Sequence, residues 1–383
     1  MNAVPTALNP TPLTPAELAA ALAIPDLSDP AGGPHAVQLV VDELRTALTD
    51  AWRIPAPTRR DHPVVSLADN YDRLGYAADA VTRETRYTRY ADAGHVLRSH
   101  SSAMIPPALR ELAAKADRPD DVLLVCPGIC YRRDSVDWQH TGTPQQLDLW
   151  RITRRPCDGD DLLAMIGLVV ATVLPGARWR ANPAEHPYTT GGREIEALWR
   201  GHWVEIGECG VAAPHVLRKA GLDGDWSGLA MGLGLDRLVM LRKGVPDVRL
   251  LRSADPRVAS QLLDLSPYRP VSHMPPVRRD LSLVLDAGDD LSAEVLGDRV
   301  RAALGADADA AELVEPRAVT SYDELPAAAR DRLGIRPGQV NLLLRLVLRP
   351  LDRTLTDADA NVLRDRVYTA LHRGPVAELA AQK

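Results

Sequence analysis

Four prolines fall within eleven residues between Ser266 and Pro276, and no helix or central strand can run through them. Whatever packs before this stretch must form its own core, and so must whatever follows. A chain of 383 residues is long enough for two such cores. A lesser break lies at Ile54 to His62, around Pro55 and Pro57. The expected division is an N-terminal helical extension (1–60), a main domain (61–266) and a smaller domain (267–383).

The local patterns fill in this frame. Thr14-Pro15-Ala16-Glu17 combines an N-cap, a proline at the first helical position and an acid in the first turn. Val37, Val40, Val41, Leu44 and Leu48 follow a helical period over Ala36 to Trp52. Val122–Val125 and Trp203–Ile206 are short apolar runs that suit buried strands. After the proline break, the patterns predict a strand at Leu281–Leu285, a helix at Ala293–Leu304, a strand at Asn341–Leu348 and a helix at Asp357–His372. The expected fold class is α+β in both domains.

Composition removes several functions. Hydrophobic residues make up 45% and charged residues 25%, which is globular rather than disordered. No apolar run is long enough to span a bilayer, and Met1 to Pro15 has neither the basic start nor the apolar run of a secretory signal. A net charge of −6 argues against a protein that coats DNA. Four cysteines do not make a disulfide scaffold, so a reducing cytoplasm is the expected setting. Cys126 and Cys130 have no second pair at zinc spacing, and buried free thiols are expected. The chain also contains no Phe at all.

Four segments carry chemistry. Cys130-Tyr-Arg-Arg-Asp134 follows an apolar strand and leads to His140 and to Pro144-Gln-Gln-Leu-Asp-Leu149. Here Arg132 and Asp134 can face a triphosphate, because guanidinium forks match phosphate oxygens; the alternative is a surface Arg–Asp pair. Gly228-Leu-Ala-Met-Gly-Leu-Gly-Leu-Asp-Arg237 runs into a helix, and its glycines permit close approach of a ligand to the backbone. It has neither the ending of a P-loop nor the spacing of a dinucleotide fingerprint. Leu97-Arg-Ser-His-Ser-Ser102 is otherwise a polar turn. Trp203-Val-Glu-Ile-Gly-Glu-Cys-Gly210 is otherwise a half-buried strand with Glu205 on it.

In this order the four segments resemble the catalytic core of class II aminoacyl-tRNA synthetases, and within them the phenylalanyl-tRNA synthetase alpha-subunit family. Tyr131-Arg132-Arg133-Asp134 resembles motif 2, and Gly232-Leu-Gly-Leu-Asp-Arg237 resembles motif 3. His62-Pro63, read as opening a helix that ends near Gly75-Tyr76, resembles the motif 1 entry. Arg98-Ser-His-Ser-Ser102 is similar to the family's Arg-Thr-His-Thr-Ser element. Pro276-Val-Arg-Arg-Asp-Leu-Ser282 and Asp352-Arg-Thr-Leu-Thr-Asp357 resemble the ferredoxin-like anticodon-binding domain that single-chain organellar enzymes carry on the same polypeptide.

The resemblance implies an antiparallel-sheet catalytic core with a ferredoxin-like tail. It further implies ATP and Mg²⁺ as cofactors, tRNA and an amino acid as partners, and either a monomer or a homodimer. Arg132 would hold the α-phosphate. Arg237 would stack on adenine and face the γ-phosphate. Asp134 would lie near the adenine amino group, with Gly232 and Gly234 beneath the nucleotide and Glu205 on the metal. His100, Ser102 and Gln146 would hold the amino acid's amino and carboxylate groups. Asp148 stands in place of a Glu, and Ala230 admits the far edge of the ring. The pair of rings that clamps the substrate ring in the family reads His186 and Tyr188 here, and the ring under adenine becomes Pro144. These changes imply either plain stand-ins in a Phe-free chain or a pocket for another side chain. An accessory enzyme made while charged phenylalanine tRNA is scarce would gain from containing no Phe. Rival readings keep the adenylate chemistry but use a non-tRNA acceptor, or keep tRNA binding without catalysis.

Overall fold

The structure is a computed structural model that describes residues 11–85, 87–271, 275–350 and 353–375. The chain forms two compact units. The first takes in the described residues up to Arg132, then Thr143–Pro246 and Ser260–Tyr268. The second takes in Arg133–Gly142, Asp247–Ala259 and the described residues from Arg269 onward.

The strands in chain order are β1 (Val64–Ser66), β2 (Arg89–Tyr90), β3 (His95–Leu97), β4 (Asp121–Ile129), β5 (Gln145–Thr153), β6 (Trp179–Pro183), β7 (Thr189–Trp199), β8 (His202–Ala212), β9 (Ser227–Gly234), β10 (Val277–Asp286), β11 (Ala311–Ser321) and β12 (Gln339–Leu348). In the first unit β4, β5, β9, β8, β7 and β6, in that order, form one sheet with every pair antiparallel. The helix Ala36–Trp52 packs on the helix Gly159–Val173, which in turn packs on β8. Its buried residues are Ala36 and the set given by the 3.6-residue period, Val37, Val40, Val41, Leu44 and Leu48. The hairpin between β7 and β8 turns on Arg200 and Gly201, both at positive φ, as a tight two-residue turn demands.

Register sets out the other face of the sheet in rows, because residues opposite one another point to the same side. One row runs Leu124, Trp150, Ala230, Gly210. The next runs Cys126, Asp148, Gly232, Glu208. A third begins Gly128, Gln146, Gly234. The first row sinks into a core with Met104, Leu109, Val216 and Leu217. The second and third rows form the floor of the site described below.

The stretch read as a linker guards the edge of this sheet. Pro55 and Pro57 have no N–H to give, but their carbonyls accept from the amides of Leu123 and Val125 at 2.9 and 3.1 Å, and the amide of Arg59 donates to Val125 at 2.8 Å. Proline on an edge strand blocks further pairing on its outer side. The helix expected to open after His62-Pro63 is not formed. β-branched Val64 and Val65 make β1 instead, Ser66 then caps a single turn at Leu67–Asn70, and a 3₁₀ turn closes at Gly75 with φ of 92°.

The second unit has a three-stranded antiparallel sheet in the order β10, β12, β11. Leu342, Leu344, Leu346 and Leu348 alternate along β12 and are buried with Leu281, Leu283 and Leu285 of β10. The helices Ala293–Leu304 and Asp357–Leu371 supply Leu296, Val300, Leu363 and Val367 to the same core. A βαββαβ ferredoxin-like unit needs four strands, and three are present among the described residues. Asp352 and the segment Leu379 to Lys383 lie outside those residues.

Candidate active site

Strand direction places the two arginines. Arg132 comes three residues after the end of β4 and Arg237 three residues after the end of β9; both strands pair antiparallel with β5 and finish where β5 begins. Two strand spacings, about 10 Å, separate β4 from β9. The amide of Gln145 donates to the Asp236 carboxylate and ties the start of the helix Leu235–Lys243 to the start of β5. Arg132 donates from Nε to the Ser99 carbonyl at 2.7 Å, and among the described residues it makes no ion pair. Arg237 donates from Nη1 to the Glu205 carbonyl and to Glu205 Oε2, both at 3.0 Å.

Between these ends the floor is bare. A Cβ added at Gly232 would meet only Asp148 Oδ2 at 3.8 Å, and one at Gly234 would meet nothing closer than 3.9 Å. Packing therefore does not require glycine at either position. Elsewhere it does: a Cβ at Gly207 would lie 2.2 Å from the Gly232 carbonyl, and one at Gly210 2.5 Å from Thr189 Cβ. Gly232 and Gly234 leave room for something other than protein.

The walls are aromatic. Tyr76 stacks on His100 with ring centroids 5.7 Å apart and tilts over Tyr188 at 6.3 Å; Tyr188 lies 6.1 Å from Trp150 and is stacked 5.7 Å from His186. Both ring nitrogens of His100 are buried, and among the described residues neither meets a hydrogen-bond partner in good geometry. Burial, reinforced by the Arg132 guanidinium, drives the His100 pKa down to about 3, so the ring is neutral. His186 Nε2 pairs with Glu208 Oε2 at 3.2 Å. That bond raises the imidazole pKa against the effect of burial. Burial raises the Glu208 carboxyl, but His186 and Arg132 overcome this and hold it below the usual range. Trp150 is fully buried and donates from Nε1 to Asp148, so it is a core residue rather than a platform for a base.

Asp148 is turned inward. Its Oδ2 accepts from Ser101 Oγ at 2.5 Å and its Oδ1 from Trp150 Nε1 at 3.0 Å. Burial raises its pKa to about 6, against the hydrogen bonds from Ser101, Trp150 and Ser102. An acid whose folded pKa lies above the unfolded value is disfavoured when ionised. Stability present below the usual 3.8 is thus lost as pH climbs towards 6, by about 3 kcal/mol in all. Asp148→Asn will raise the unfolding free energy at pH 8 by up to about that amount and leave it little changed near pH 4, as read by urea denaturation. Gln146 Oε1 accepts from the Ser101 amide at 3.2 Å and from the Cys130 thiol at 3.3 Å. Ser102 and Ala230 are buried beside these groups.

Asp134 belongs to the second unit, where its carbonyl accepts from Arg301 and the side chain of Val136 enters the tail core. The carbonyl of Val136 also accepts from the Val314 amide at 3.1 Å, and Arg133 pairs with Asp298 at 3.4 Å. His140 lies in the same segment, paired with Asp137 at 2.6 Å. Arg98 is a structural cation: it is buried, and it donates to the carbonyls of Ile129 and Asp61. Of the tail arginines, Arg279 pairs with Asp357 and Arg349 with Glu312. All four cysteines are free, three of them buried. Sequence reasoning missed Tyr76 and Glu208. The row that places Glu208 opposite Gly232 exists only once the strands are paired.

Among the described residues, no group of three or more His, Cys, Asp or Glu side chains is arranged to hold a metal ion unaided. The site still suits a cation that brings other ligands. Glu194 lies opposite Glu208, and Glu196 opposite Glu205. Burial, and after it the charges of Glu205, Glu196 and Glu208, raise the Glu194 pKa, which marks an excess of negative charge. Mg²⁺ commonly takes one or two carboxylates and fills its remaining positions with phosphate oxygens and water.

The family described as tRNA synthetases class II core domain (F) matches residues 22–262, more than half of the chain, including the helix Ala36–Trp52. The phenylalanine–tRNA ligase alpha subunit of Prochlorococcus marinus (strain MIT 9313) is 35% identical over 199 residues, covering 50% of this chain and 56% of that protein. A protein named probable phenylalanine–tRNA ligase, mitochondrial, from Drosophila melanogaster is 26% identical over 368 residues, covering 81% of this chain and 76% of its own. The chloroplastic/mitochondrial phenylalanine–tRNA ligase of Arabidopsis thaliana is 27% identical over 334 residues, covering 83% and 71%. The match to the cyanobacterial subunit spans little more than half of that relative's length. No helix among the described residues is long and apolar enough to cross a membrane. With the core match running through both arginine-bearing strand ends and the glycine floor between them, this chain belongs to the class II tRNA synthetase core family.

Proposed function

We propose that the protein activates phenylalanine, or a closely related aromatic amino acid, with ATP and transfers it to tRNA. The observation that carries this reading is the pair of guanidinium groups at one end of the sheet, with glycines in the floor between them. In the first step a substrate carboxylate oxygen attacks the α-phosphorus. The bond to the bridging oxygen breaks, and pyrophosphate leaves. Charge grows on phosphate oxygens, and fixed cations stabilise it without reorganising. Arg132 holds the α-phosphate oxygens and Arg237 the far end of the nucleotide. Glu205 would hold Mg²⁺ together with the phosphates, and the ion would supply further charge neutralisation there. The aromatic wall of Tyr76 and Tyr188, backed by buried Trp150, takes the ring, with Ala230 beneath it; Ser102, Gln146 and neutral His100 offer polar atoms to the amino acid's head. In the second step a ribose hydroxyl at the tRNA end attacks the acyl carbon, and AMP leaves.

Relatives named phenylalanine–tRNA ligase support tRNA as the acceptor, as does a tail unit carried on the same chain. A ferredoxin-like anticodon-binding role for that tail, and a cytoplasmic setting, belong to the same reading. A second reading concerns the ring. His186, stacked on Tyr188, brings an imidazole and a phenol to the pocket; these favour a substrate with a polar group on the ring, because a site built to bond such a group rejects analogues lacking it. AMP release with and without total tRNA tests the transfer step. Multiple turnover only with tRNA is expected; equal turnover without it would show a different acceptor.

A further inference from the structure

Asp148 stands where the family resemblance puts a Glu of the amino-acid pocket, yet both its oxygens are already engaged. Ser101 Oγ donates to one and Trp150 Nε1 to the other, and the side chain is closed off from solvent. An ammonium needs an ionised acceptor with an open lone pair. One strand pairing further on, opposite Gly232, the same face presents Glu208. Its side chain is 44% exposed, and among the described residues its one ion pair is with His186 at 3.2 Å. Gly232 separates the two acids, and the space above it is open.

Resting on the reading that this pocket takes an aromatic amino acid, we infer that Glu208 binds the substrate's α-ammonium group over Gly232, with Asp148 serving as the buried support that fixes Ser101 and Trp150. The geometry fits. Asp148, Gly232 and Glu208 lie in one row, so an ammonium over Gly232 is one strand spacing, about 5 Å, from the backbone of each acid's strand. The three-atom reach of a Glu side chain covers that distance. Arg132 lies close enough for its charge to act on both Glu208 and His100. Its guanidinium can therefore face the substrate carboxylate while Glu208 faces the neighbouring ammonium. Both ends of a zwitterion are then matched by opposite charges.

The test separates the ammonium from the rest of the substrate. Phenylalaninol, or its ring-hydroxylated counterpart tyrosinol, carries the ammonium without the carboxylate; 3-phenylpropanoate carries the carboxylate without the ammonium. Calorimetric titration of the full-length protein and of Glu208→Gln should show the amino alcohol weakened about 10- to 100-fold, a range typical of losing one charged hydrogen bond, and phenylpropanoate unweakened. In exchange kinetics the same variant should raise KM for the amino acid far more than it lowers kcat, with KM for ATP little moved. Glu208→Asp should recover part of the loss, and it stands in if the Gln variant does not fold. Equal amino-alcohol affinity in wild type and variant overturns the inference and leaves the aromatic amino-acid reading intact. If neither amino alcohol binds the wild type, that reading fails and the inference fails with it.

Discussion

Arg237→Ala will lower amino-acid-dependent ATP–pyrophosphate exchange by about 100-fold or more, and Arg132→Ala will do the same. Removing one preorganised donor from the site of developing charge typically costs 10²–10³ in rate. The stability cost should be small. Arg237 bonds to one carbonyl and one half-exposed carboxylate of Glu205, and losing such bonds is worth about 1–2 kcal/mol. Arg132 gives up a single bond, to the Ser99 carbonyl. Lysine will not rescue either position fully, because an ammonium cannot form the planar bidentate contact with a phosphate. The double variant should be little worse than either single one if both hold the same nucleotide. Exchange rates measured alongside thermal unfolding midpoints check all of this. A large loss of exchange with a nearly unmoved midpoint is the expected pattern.

The second large effect comes from two glycines on neighbouring strands. Gly207→Ala places a methyl 2.2 Å from the Gly232 carbonyl and 3.1 Å from Leu233 Cα, both backbone atoms of β9. The β8–β9 ladder must shift to admit it, so a loss of about 3 kcal/mol or more is expected. Gly232→Ala meets only ordinary contact and should keep the fold. It should even gain a few tenths of a kcal/mol by restricting the unfolded chain. Its methyl instead occupies space left for ligand. At about 1–3 kcal/mol for overpacking, binding of ATP or amino acid should fall roughly tenfold or more. Denaturant midpoints and binding titrations on both variants should therefore move in opposite ways.

Much of this architecture is legible in the chain because local and global preferences agree. The helices Ala36–Trp52 and Ala293–Leu304 keep the bounds that their apolar period sets. β4 reads as a strand because it is buried on both faces. β7 does not, because Thr189-Thr-Gly-Gly-Arg193 at its start offers no apolar residue, and the alternation begins only where Ile195 and Ala197 are buried in turn with Glu194 and Glu196. The residue types at the site are legible from the order of the segments. Their environments are not. That Asp148 turns inward follows from Trp150 two residues on, and that Glu208 faces it follows from strand register. The change of unit between Arg132 and Asp134 is not legible either: Val136 finds its apolar partners in the core of the second unit, a pull that no local pattern announces.

ATP–pyrophosphate exchange by the purified full-length chain, run across phenylalanine, tyrosine and ring-substituted analogues, tests the central claim most directly. Exchange that requires an aromatic amino acid and disappears in Arg132→Ala and Arg237→Ala is the expected result. A folded protein that exchanges with none of them, or that exchanges equally well without either arginine, would contradict it.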